Sequence, residues 1–315
     1  MKSRSQKKDL VSVSDFSKEE IFSLFKKAAK LKDGGLTGNA RPLSGKTLAL
    51  ILQKPSTRTT VSFAVGMAQL GGVPLILNSQ DLQMRRGESI SDTAKTLSLY
   101  VNAVMIRANR HEDVLELSKN SAIPVINGLS DKEHPCQVLG DIFTIFEKKK
   151  LRKPEDLKKI KIAYLGDGNN VAHSLILAAA SLGMEIVVST PKNYEPEKEF
   201  VQKGLAIAQT TGARISLASD PLAAVSNADV VYTDVWASMG KDEEREHRKQ
   251  IFMPYQVNAP LLAFSKPDVL IMHCLPAHRG EEITDEVLDG PRSIVFEQAE
   301  NRLHIQKAIL LYLLS

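Results

Sequence analysis

The sequence predicts an α/β protein of two domains, each a parallel sheet covered by helices, with linking helices joining them. Three observations lead there. Short apolar runs of strand length alternate with helical patterns along the chain. The alternation is interrupted by a polar stretch at 151–161, with Pro154 inside it, and then restarts. The length, 315 residues of which 43% are apolar, is enough for about two cores.

The elements come in order. Ser17 with Glu20 three residues later is a capping-box pattern, so a helix is expected from there to about 31, ending near Gly34-Gly35. Strands are expected at 47–52, 73–77, 103–106 and 124–126. Helices fall between them, at 61–70 (ending at Gly71-Gly72), 91–100 and 112–118, and a long one is expected at 137–149. After the polar stretch, strands are expected at 162–165, 185–189, 214–217, 229–233 and 269–272, and a leucine-rich helix at 297–314. The domains are read as 1–150 and 151–295, with the terminal helix, 296–315, packing back on the first.

Composition excludes several classes of partner. The net charge is +4 and the charges are interspersed, apart from Lys7-Lys8 and 148–150, which read as solvated runs. Aromatic residues make up 5%, too few for base-stacking platforms, so no nucleic acid is expected. The two cysteines, Cys136 and Cys274, lack zinc-finger spacing and point to a reducing compartment. The basic start has no apolar h-region, and no apolar run reaches transmembrane length. A cytoplasmic protein with no membrane partner is expected.

Ligands of parallel sheets gather at the carboxyl ends of strands. Ser56-Thr57-Arg58-Thr59 comes after the first strand, where backbone N–H groups and a helix dipole favour an anion and Arg58 can hold phosphate or carboxylate with two parallel bonds. Arg107 comes after the strand at 103–106, and His134-Pro135-Cys136-Gln137 after the one at 124–126. Gly166-Asp167-Gly168-Asn169-Asn170, Asp234 with Ser238-Met239-Gly240, and His273-Cys274-Leu275-Pro276 close strands of the second half. Polar groups at six strand ends, from both halves, predict an active site between two domains. Gly166-Asp167-Gly168 begins like a dinucleotide fingerprint, but Val171 occupies the third glycine position, so no dinucleotide cofactor is expected. His273 and Cys274 are adjacent and are expected on opposite faces of a strand, which argues against joint metal ligation.

Together these four motifs, Ser56-Thr57-Arg58-Thr59, His134-Pro135-Cys136-Gln137, Asp234 with Ser238-Met239-Gly240, and His273-Cys274-Leu275-Pro276, resemble the aspartate/ornithine carbamoyltransferase family, in order and over nearly the whole chain. The first two are shared across the family; the last two mark its ornithine-type branch. The resemblance implies a first domain that binds carbamoyl phosphate and a second that binds L-ornithine. It implies a homotrimer with active sites at subunit boundaries, in which Gln83 reaches a neighbouring subunit's phosphate.

The implied reaction is attack of ornithine's side-chain amine on carbamoyl phosphate, giving citrulline and phosphate. By the same resemblance Thr59, Arg107 and His134 donate to the oxyanion, Arg302 completes the carbonyl side, and Ser56, Thr57 and Arg58 hold the phosphate. Gln137 and the Leu275 carbonyl hold the carbamoyl nitrogen, and Cys274 sits near the attacking amine. Asp234 pairs with ornithine's α-ammonium, alongside Asn170, Ser238 and Met239. No metal and no organic cofactor is required, because the leaving group is already activated.

Three positions depart from the family's usual pattern. Thr60 and Ala64 stand where arginine and glutamate are usual, a pair sharing a helix face, so their joint absence reads as a lost structural pair. Gln53 stands where glutamate is frequent. Other readings are an N-acylornithine or other amine carbamoyltransferase, which the Asp234 motif disfavours, aspartate as acceptor, which needs more cations, and a non-catalytic ligand-binding member of the fold.

Overall fold

A computed structural model of the chain describes residues 7–35, 40–78, 80, 82–237 and 245–315. Contacts divide the chain into two units, the first comprising Met1–Gly140 and Asn301–Ser315, the second Asp141–Glu300.

The first unit holds strands β1 (Thr47–Leu52), β2 (Val73–Asn78), β3 (Ala103–Arg107) and β4 (Val125–Leu129), all parallel, in the order β2-β1-β3-β4. Its helices are α1 (Lys18–Lys32), α2 (Thr57–Gln69), α3 (Ile90–Tyr100) and α4 (His111–Asn120). The capping box of α1 forms as expected: Ser17 accepts from the Glu20 N–H and the Glu20 carboxylate accepts from the Ser17 N–H. Helix α2 starts four residues before the apolar pattern does, so Thr57, Arg58 and Thr59 form its first turn, and Ser56 caps it by accepting from the Thr59 N–H at 3.2 Å. The core gathers the inward faces of β1, β3 and β4, among them Ala49, Ile51, Val104, Ile106 and Val125, against Val114 and Leu117 of α4. The edge strand β2 was expected to be apolar and is, yet Val73, Leu75 and Ile76 are 43–52% exposed.

Helix α5 (Pro135–Lys148) begins in the first unit and ends in the second. The second unit holds β5 (Lys161–Leu165), β6 (Glu185–Ser189), β7 (Arg214–Ala218), β8 (Val230–Thr233) and β9 (Leu270–His273), all parallel, in the order β7-β6-β5-β8-β9. Its helices are α6 (Asn170–Leu182), α7 (Lys198–Thr211), α8 (Pro221–Val225), α9 (Arg245–Phe252), α10 (Ala259–Leu262) and α11 (Asp285–Leu288). Helix α6 is buried nearly all round, as its run of alanine, leucine and isoleucine requires. Helix α12 (Val295–Leu314) begins in the second unit and ends in the first, so the chain passes between units inside two continuous helices. Among the described residues no helix is long and apolar enough to cross a membrane.

Strand order reverses direction at one place in each sheet, between β1 and β3 in the first unit and between β5 and β8 in the second. Such switch points leave a crevice at the strands' carboxyl ends. Each strand beside these two crevices ends in one of the polar motifs noted in the sequence.

Candidate active site

In the first unit, the loop from β1 into α2 presents the α2 N-terminus, whose free N–H groups and dipole suit an anion. Arg58, second residue of that helix, is half-buried, and among the described residues its guanidinium has no carboxylate partner. Arg107 is the last residue of β3, not the one after it, and is 8% exposed. His134 immediately precedes α5 and its carbonyl accepts from the N–H groups of Gln137 and Val138. Arg302, on α12, ties the set together: Nη1 donates to Gln137 Oε1 and Nη2 donates to Thr59 Oγ1 at 3.2 Å. Because guanidinium only donates, Thr59 accepts there and its own O–H is left to donate elsewhere. The same logic turns the Gln137 carbonyl toward Arg302.

His134 is buried beside two cations. Desolvation first, then the Arg302 and Arg107 guanidinium groups, hold its pKa well below the ordinary imidazole value. The ring is therefore neutral at pH 7 and acts as a hydrogen-bonding group, not as a charge. Thr60 and Ala64 lie half-buried one turn apart on α2. Gln83 is exposed, in a turn at Gln83–Arg86.

In the second unit, Gly166 leaves β5 with φ 128°, and a Cβ on Gly168 would fall 2.2 Å from the Pro196 nitrogen, so the turn into α6 needs both glycines. Asn169 caps α6: its Oδ1 accepts from the N–H groups of Val171 and Ala172, and its Nδ2 donates to Asp234 Oδ2 at 2.7 Å. Asn170 opens the helix. Asp234, just after β8, is the hub: its Oδ1 accepts from the Val235 N–H at 2.8 Å and from the Cys274 thiol at 2.9 Å. Beneath it the Tyr164 and Tyr232 rings stack at 5.9 Å, Tyr164 OH reaching Asp167 O and Tyr232 OH reaching Asp141 Oδ2. Burial pushes both phenols well above their ordinary pKa, so they stay protonated donors. Ser238 and Met239 lie outside the described residues.

One expectation is corrected. The metal-binding atoms of Asp234, His273 and Cys274 all lie within 4.8 Å of one another. Strand alternation does not separate His273 from Cys274 because β9 ends at His273, and Leu275 then takes φ 57°. His273 has both ring nitrogens engaged: Nδ1 accepts from the Leu275 N–H at 2.8 Å, and Nε2 faces Glu282 Oε1 at 3.1 Å. A second such group, His278 with Glu281 and Glu282, lies nearby.

Similarity to known proteins bears on this arrangement directly. Residues 8–147 match the family described as aspartate/ornithine carbamoyltransferase, carbamoyl-P binding domain, and residues 158–313 match its Asp/Orn binding domain. The chain belongs to the aspartate/ornithine carbamoyltransferase family. The ornithine carbamoyltransferase of Pyrococcus abyssi is 54% identical over 309 residues, covering 98% of this chain and 96% of the relative. That of Archaeoglobus fulgidus is 54% identical, covering 98% of each chain. The solved ornithine carbamoyltransferase of Pyrococcus furiosus superimposes with a TM-score of 0.93 at 52% identity, over 99% of this chain and 98% of that one.

Sequence pattern alone passes over Arg248 on α9. It is 3% exposed, pairs with Asp167 at 2.6 Å, donates to the Trp236 carbonyl and lies over the Tyr194 and Phe252 rings at 4.7 and 5.0 Å. It thus braces the turn that presents Asn169 and Asn170. The only cue was arginine recurring in a polar run that otherwise reads as solvated.

The depressed His134 pKa has a thermodynamic consequence. In the unfolded chain this histidine titrates near 6.5. Below that pH the unfolded state binds a proton that the folded state refuses, so stability is full above 6.5 and falls as pH drops toward the depressed value. The Tm of the wild-type protein is expected to fall more steeply between pH 6.5 and 5 than that of His134→Gln, measured by calorimetry. Parallel curves would show that His134 is not held neutral.

Proposed function

We propose that this chain is an ornithine carbamoyltransferase, moving the carbamoyl group from carbamoyl phosphate to the side-chain amine of L-ornithine to give L-citrulline and phosphate. The observation that carries the choice of ornithine is the Asp234–Cys274 couple at 2.9 Å beside the β5/β8 switch point: a carboxylate for an ammonium, with no cation in the couple for a second substrate carboxylate. The relatives' names support the same reading.

The neutral amine attacks the carbonyl carbon, a C–N bond forms, and the C–O bond to phosphate breaks after a tetrahedral oxyanion. The amine's proton leaves with solvent or with the departing phosphate. Thr59 O–H, freed by Arg302, and the Arg107 and neutral His134 donors stabilise the oxyanion. Such preorganised donors cost no reorganisation as charge develops, and each is commonly worth about 10²–10³ in rate. Ser56, Thr57 and Arg58 at the α2 N-terminus take the phosphate and its leaving charge. Gln137, itself held by Arg302, and the Leu275 carbonyl fix the carbamoyl nitrogen. Asp234, Asn170, Ser238 and Met239 hold ornithine, and Cys274 lies by its amine.

Residues 1–150 are assigned to carbamoyl phosphate and 151–295 to ornithine, with the helix at 296–315 returning to the first domain. A cytoplasmic homotrimer is proposed, with active sites at subunit boundaries and Gln83 serving a neighbour. Exposed apolar side chains support it: Val61 and Val65 on α2, Leu75 and Ile76 on β2, and Leu99, which is 82% exposed on α3. The outer edge of β2, which pairs with no further strand among the described residues, adds to that face. The biosynthetic direction is proposed because the Pyrococcus furiosus relative is named anabolic.

The test is product formation from carbamoyl phosphate with ornithine, acetylornithine, putrescine and aspartate side by side. Ornithine is expected to lead in kcat/KM by at least about 10²-fold, the discrimination expected when a site's buried polar groups must be matched. Its kcat/KM should rise close to tenfold per pH unit from 6 to 8, because the side-chain amine has a pKa of roughly 10.4 and only its neutral form attacks. Preference for another amine would reassign the substrate, and no turnover with any would make the chain a binding member of the fold.

A further inference from the structure

We propose that Gln53 is a positioning residue for Arg107, and that it does so only as an amide. This rests on the reaction proposed above and adds a residue to its phosphate-side machinery.

The register pairs Leu52 with Arg107, the last residues of β1 and β3. On the other side of β3 the pairing with β4 slips between Ile106 and Arg107. The register resumes at Arg107–Leu129, where the Ala108 N–H donates to the Leu129 carbonyl at 2.8 Å, and on the β1 side Gln53 extends the ladder by one rung: its N–H donates to the Arg107 carbonyl at 2.9 Å. Its side chain then anchors the turn from β3 into α4. Gln53 Oε1 accepts from the Asn109 N–H at 2.7 Å, and Nε2 donates to Asp113 Oδ2 at 3.0 Å, in the first turn of α4. One residue thus fixes the chain on both sides of the fully buried Ala108, immediately beyond the arginine whose guanidinium faces His134.

The chemistry of the three partners dictates the residue. The Asn109 N–H can only donate and the Asp113 carboxylate can only accept. Position 53 must offer one acceptor and one donor, and the amide offers both without charge. Glutamate would serve Asn109 but would set its second oxygen against Asp113. Both carboxylates could be accommodated only by sharing a proton, which means losing one as pH rises. The other charged groups at this turn, among the described residues, are His111, whose Nδ1 lies 2.8 Å from Ser130 Oγ, Asp131, which accepts from the His111 N–H at 2.7 Å, and the Arg110–Glu112 pair at 3.4 Å. They are common to wild type and every variant, and cancel when each activity is expressed as a ratio to wild type.

Steady-state kinetics at pH 5.5–8.5 on Gln53→Glu, Asp113→Asn and the double variant test this, with Tm measured alongside. At pH 8, Gln53→Glu is expected to lower kcat about tenfold and to raise KM for carbamoyl phosphate, with KM for ornithine unchanged. Its activity relative to wild type should recover toward pH 5.5, where the facing carboxyl groups share a proton. Gln53→Glu with Asp113→Asn exchanges amide and carboxylate while keeping both hydrogen bonds, so it should return to within about threefold of wild type across the range. Asp113→Asn alone still accepts from Gln53 and should also stay within about threefold. A Gln53→Glu deficit that is absent or independent of pH, or a double variant no better than Gln53→Glu, would overturn the assignment, as would a large loss in Asp113→Asn. Wild-type turnover in the same assay separates this failure from failure of the reaction itself.

Discussion

Arg58→Ala is expected to lower kcat/KM for carbamoyl phosphate by about 10³-fold or more, the combined loss of a bidentate charge-assisted contact and of charge balance on the leaving phosphate. The size of the effect comes from where the residue sits. Arg58 is in the first turn of α2, so its charge adds to that of the helix N-terminus at the spot where the anion is proposed to bind. With no carboxylate to pair with among the described residues, the guanidinium is not spent on the fold. The Tm should therefore change little, since Ser56 still caps the helix. Arg58→Lys should recover charge but not the planar fork, and land between the two. Calorimetric titration with carbamoyl phosphate, or with inorganic phosphate as the probe, should show binding lost in Arg58→Ala. Undiminished binding would move the phosphate away from the α2 N-terminus.

How far such a site can be read from sequence depends on the distance over which its parts are held. The strand ends were legible because an apolar run followed by Ser56, Arg107 or Asp234 is a local signal. The start of α2 was misread because periodicity counts apolar residues, and its first turn, Thr57 to Thr60, has none. Arg302 could be placed only through the family resemblance, because its bond to Thr59 spans 243 residues of sequence. Arg248 was invisible for the opposite reason: it is buried by aromatic rings that arrive from elsewhere, while its neighbours in sequence are polar. The exposure of β2 was hidden because an apolar parallel strand reads the same whether a helix or another subunit covers it. Gln53 was noticed only as a departure from pattern; its meaning lies in Asn109 and Asp113, which sequence does not bring to it.

Asp234→Asn is expected to lower kcat/KM for ornithine by about 10³-fold while leaving carbamoyl phosphate affinity within about threefold, because a buried charge partner is lost from one half-site only. The hydrogen bonds explain why so small a change costs so much. Oδ1 is already occupied by the Val235 N–H and the Cys274 thiol, so the ammonium proposed to bind here is left with Oδ2, which it would share with Asn169 Nδ2. The introduced asparagine can keep its carbonyl toward Val235 and Cys274 only by turning its NH₂ onto the Asn169 NH₂. Asn169 cannot flip to relieve this, because its Oδ1 caps α6 through Val171 and Ala172. The substitution should therefore also cost about 1–2 kcal/mol of stability through the strained cap and the mismatched donors. Adding Asn169→Asp separates the two effects. Aspartate caps a helix as well as asparagine does, and its second oxygen can accept from the amide introduced at position 234. In the double variant, Asn169→Asp with Asp234→Asn, the Tm should return to near wild type. Ornithine kcat/KM should stay low, since the carboxylate is then displaced from the place where the ammonium is proposed to bind. If the double variant recovers ornithine use along with Tm, Asp234 acts by holding the α6 turn in place, and the ammonium is bound elsewhere.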